Sequence, residues 1–242
     1  YWHSDTFMNR FQILLLIIGF AIFVIYSFFN AKKKSNPVSI TEPTNLTLIT
    51  GNEVVKTLDS LGYFKFTEPK NLDTLKKEIE TTYDKYKVLT TINHEKSPFE
   101  PFCLRYYSCD GETLFELDGI TDYLKEIKPT FNKLGIPLVW SDDYFSEDAT
   151  EHTIIINAKK YIAFKGDPND LRIWGIATKN FVEILNDQLS IHNSSERVYP
   201  LMYNNDTHIV FLTKPQYEFI FQHFDKKERP MEVSLWWEIG NK

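Results

Sequence analysis

The chain has 242 residues, with 27 Lys and Arg against 33 Asp and Glu, and a formal net charge of −6. Setting aside Arg10, Lys32, Lys33, Lys34 and Asp5 leaves 23 basic and 32 acidic residues from Ser35 onward, a net of −9. That balance argues against a nucleic-acid partner, whose phosphates demand a basic face, and against a body lying flat on anionic lipid.

Residues 11–29 carry no charged side chain. As a helix they would span roughly 28 Å, close to the hydrocarbon core of a bilayer, with every amide satisfied internally. The run is apolar all round, unlike a core helix with one polar face. A cleaved signal peptide is the competing reading, because Met8-Asn9-Arg10 reads as a translation start with a short positive flank, apart from residues 1–7. The apolar run is longer than a signal core, however, and no small-x-small cleavage pattern follows it before Ala31. We therefore expect an uncleaved single-pass anchor contacting membrane lipid through residues 11–29, after a short tail at 1–10.

Arg10 stands before the run and Lys32, Lys33 and Lys34 stand after it. The positive-inside tendency then keeps the following body cytoplasmic, an exported body being the alternative. The sequons at Asn45, Asn193 and Asn205 bear on this only in a glycosylating compartment. Residues 30–47 are polar, contain two prolines and show no periodicity, so they read as a flexible tether with a reach of about 25 Å.

Residues 48–242 are long enough for one large core or two smaller ones, with a candidate sub-domain boundary near 145–151. Thr50 and Glu53 form a capping box before Val54, Val55, Leu58 and Leu61. Leu72, Leu75, Ile79, Tyr83 and Tyr86 recur at helical spacing. Strands are expected at 88–92 and at 103–109, the latter turning at Asp110-Gly111 into 113–117 as a hairpin. Ile120 through Leu134 stripe a helix kinked or split at Pro129 and stopped at Gly135. Strands follow at 136–140, 153–156 and 161–164, the last two joined as a hairpin. Ile173 through Leu185 stripe the longest helix. A hairpin of 198–203 with 208–212 precedes a second capping box, Thr213 with Gln216. Helices and hairpins alternate as blocks, which favours an α+β fold with mainly antiparallel sheet.

Candidate chemistry is sparse. Glycine-rich phosphate loops and a G-x-S-x-G elbow are missing, and residues 166–170 offer carboxylates where a phosphate needs amides. Cys103 and Cys109 are expected as reduced, buried thiols. Cys109 is a nucleophile candidate if His94, His152, His192, His208 or His223 approaches it, although a strand cysteine more often packs like valine. Asp142, Asp143 and His152, with Glu147, Asp148 and Glu151 near them, could ligate a metal; a solvated acidic turn is the plainer reading. Trp236 and Trp237 are candidates for contacting a partner, or for closing the core.

These observations point to a membrane-tethered, non-catalytic domain that binds another protein and needs no cofactor. The alternative is a membrane-bound hydrolase or thiol enzyme using Cys109 with a histidine, or a metal held near Asp142 and His152.

Overall fold

The structure is a computed structural model that describes residues 49–89, 92–93, 100–101, 103–201, 206–226 and 229–240. The expected anchor, the tether and the sequons at Asn45 and Asn205 lie outside these residues. No helix among the described residues is long and apolar enough to cross a membrane. The chain divides into two units, Tyr1–Thr44 and Asn45–Lys242, and the second holds all of the described residues.

Helix α1 (Gly51–Ser60) starts as its capping residues dictate: Thr50 N–H donates to Glu53 Oε2 (2.8 Å), and Glu53 N–H donates to Thr50 Oγ1 (3.2 Å). The backbone N–H and hydroxyl of Thr50, both bonded to the Glu53 carboxylate, hold that carboxyl below its usual range. Two short 3₁₀ turns, Tyr63–Phe66 and Pro69–Asn71, lead into α2 (Leu72–Tyr86). There Leu75, Ile79 and Tyr83 are buried while Tyr86, the last residue of the stripe, is exposed. The strand expected at 88–92 does not form at Val88 and Leu89. Among the described residues this segment holds a two-residue pair, β1 (Ile92–Asn93) with β2 (Glu100–Pro101).

Strand β3 (Tyr106–Asp110) is followed by a helix, which corrects the expected hairpin. Asp110 serves as an N-cap: its carboxylate accepts from the backbone N–H groups of Glu112 and Thr113 and opens α3 (Gly111–Leu114). Asp-Gly therefore begins a helix here, and Gly111 lets that helix press on the next layer, where a Cβ would lie 2.5 Å from Trp174 O. Helix α4 (Gly119–Lys133) runs unbroken through Pro129, so the expected split does not occur. The lost amide is offset by burial of Ile127, Thr130 and Phe131 on either side, and Thr130 Oγ1 donates to Leu104 O (2.6 Å).

The strand expected at 136–140 starts only at its end, as β4 (Trp140–Phe145). Pro137 has no N–H to give a ladder, and Asn157 takes over the segment. Its Oδ1 accepts from Val139 N–H (3.0 Å) while its Nδ2 donates to Pro137 O (2.7 Å). Residues 145–151 are the link from β4 to β5 (Glu151–Ile156), and β6 (Lys159–Lys165) follows in an antiparallel sheet of order β4-β5-β6. After α5 (Ile173–Ile191) come β7 (Glu196–Leu201) and β8 (Asp206–Thr213), then α6 (Lys214–His223) and α7 (Val233–Gly240). Strand β8 lies between β3 and β7, antiparallel to both.

The protein is α+β with antiparallel sheets, and the β3-β8-β7 sheet is covered on both faces. Ile209 and Phe211 of β8 join one core with α4, α5 and the β4-β5-β6 sheet; Val210 and Leu212 join another with α1, α2 and α6. The two-residue side-chain period of a strand makes this division. Helix α5 sits between the sheets: Asn180 Nδ2 donates to Ala163 O of β6 (2.8 Å), and Asn186 exchanges two hydrogen bonds with Val198 of β7.

Candidate functional site

The acidic stretch is half strand rather than a free loop, and its geometry turns on one irregularity. Ser141 pairs with Ile155 and Tyr144 pairs with Thr153, so Asp142 and Asp143 together oppose Ile154. This is a β-bulge, with Asp142 at φ 50°. In a regular ladder Asp143 would pair with Thr153 and face outward; the extra residue turns it to the side of His152. His152 Nε2 lies 2.6 Å from Asp143 Oδ1, and His152 is 1 % exposed. Phe145 stands edge-on to the imidazole at 5.0 Å, and Phe115 links Phe145 to Phe164. The other carboxylate oxygen of Asp143 is buried with no hydrogen-bond partner.

The remaining acids of the stretch do other things. Asp142 is exposed beside the Ser141 hydroxyl (3.3 Å). Asp148 accepts from Thr150 N–H (3.2 Å) and Thr150 Oγ1 (2.8 Å), which tightens the turn and holds its carboxyl below the usual range. Among the described residues no three His, Cys, Asp or Glu side chains come together as a metal-ligand group. Of the sequence candidates, the structure joins Asp143 to His152 and leaves Asp142 pointing elsewhere.

Cys109 is 0 % exposed on β3, in the core with Tyr107, Leu114, Tyr123 and Phe181. Burial pushes its thiol far above the ordinary range, with the nearby Asp110 carboxylate adding to the effect. A nucleophile needs the opposite shift. His208 lies on the adjacent strand but pairs with Ser108, and its ring packs on Tyr106 (5.2 Å) on the opposite face of the sheet. His152 is on the other sheet, His192 caps α5 and His223 ends α6; His94 lies outside the described residues. Cys103 is also buried, in the second core, and burial raises its thiol to about 11. On α7, Trp236 is buried and Trp237 is half-buried.

Sequence reasoning missed two features. One is the buried pair of Arg105 with Glu196, for which the only signal was the scarcity of arginine. The other is the outer face of β4-β5-β6, where Val139, Tyr144 and Ile162 are exposed. The signal for that face was the run Ile154-Ile155-Ile156, because an unbroken apolar strand must present an apolar side both ways. Compared with known proteins, no family model, no curated protein and no solved structure matches this chain.

Proposed function

We propose that this chain is a single-pass, membrane-anchored protein whose acidic α+β domain acts on the cytoplasmic side by binding another protein rather than by catalysis. The observation that carries this reading is the uncharged run 11–29 followed by Lys32, Lys33 and Lys34. An apolar segment of that length gains by leaving water, and the lysines hold the following chain on the cytoplasmic side. The placement of Cys109 inside the core supports the binding half, since an inaccessible thiol held protonated attacks nothing.

The test is fractionation followed by capture. The chain should stay with membranes through alkaline carbonate extraction, and deletion of residues 11–29 should release it. Protease added to spheroplasts should spare the globular part, and affinity capture of the solubilised chain should recover a stoichiometric protein. Release of the intact chain by carbonate would defeat the anchoring, and digestion would reverse its facing.

A second reading, a membrane-bound hydrolase or metal-assisted enzyme, is favoured by one contact, that of His152 with Asp143 at 2.6 Å. Loss of a cellular phenotype in His152→Ala or Asp143→Ala, with the protein still folded and present at normal level, would select it over binding.

A further inference from the structure

We draw no further inference here: the strongest candidate, the apolar outer face of the β4-β5-β6 sheet with exposed Val139, Tyr144 and Ile162, carries nothing because nothing in the structure shows what covers it.

Discussion

Arg105 and Glu196 are both 0 % exposed, and all five N–H groups of the guanidinium donate. Nε reaches Tyr63 O (2.6 Å), Nη1 reaches Glu196 Oε2 (2.8 Å) and Phe211 O (2.9 Å), and Nη2 reaches Glu196 Oε1 (3.2 Å) and Gly62 O (3.4 Å). Lys65 Nζ adds a contact to Glu196 Oε1 at 2.9 Å. Taking two charges out of water is so unfavourable that only complete pairing of this kind offsets it. Arg105→Met or Glu196→Leu should each destabilise the fold by about 3–5 kcal/mol, because the survivor is a buried unpaired charge. The double variant should lose much less than the sum, and additive losses in urea unfolding would refute the coupling. Glu78 on α2 shows the reverse situation. Burial alone raises its carboxyl above the ordinary range. A raised acid stabilises the fold below its unfolded pKa and loses that contribution as pH rises through the folded value. Glu78→Gln should therefore raise the melting temperature at pH 7, and the gain should shrink to nothing as the pH falls below about 4.

The β5-β6 hairpin closes with Asn157 at φ 48° and Ala158 at φ 64°. Two left-handed residues in a two-residue loop make a type I′ turn, which matches strand twist but suits Asn-Gly better than Asn-Ala. Ala158→Gly should accordingly stabilise the protein by up to about 1 kcal/mol, read as a shift of the urea midpoint at constant slope. The helices were legible in the sequence because both their stripes and their caps were local; Thr50 with Glu53 and Thr213 with Gln216 stand where the spacing put them. Asp110-Gly111 misled because the same dipeptide serves as a turn or as an N-cap with its first helical residue. The choice was made by Trp174 on α5, far beyond any local window. The strand at 136–140 failed for a similar reason, since Asn157 supplies the bonds a ladder would have supplied. As for the site, Asp143, Asp142 and His152 were visible as residue types. Their partnership was not, because a bulge decides which of two adjacent carboxylates faces the histidine.

One sheet, β3-β8-β7, belongs to two cores at once and ties the globular unit together. Cys109 lies in one of those cores and Cys103 in the other. Each thiol is buried and raised, so neither should react with a disulfide reagent at neutral pH while the chain is folded. Because the cores share β3, β7 and β8, they should melt together. Peptide-level mass spectrometry of labelling across a urea series should then give one midpoint for both cysteines. Two separated midpoints would show that the shared sheet does not couple them. The strand order also has a temporal meaning. During synthesis β3 emerges long before the strand that will bond to it, and β7 has no neighbour in its sheet either until β8 has left the ribosome. Through that interval Tyr106, Tyr107 and Cys109 of β3, all buried in the finished fold, have no neighbouring strand to cover them, which lengthens the time the nascent chain shows apolar surface to its surroundings.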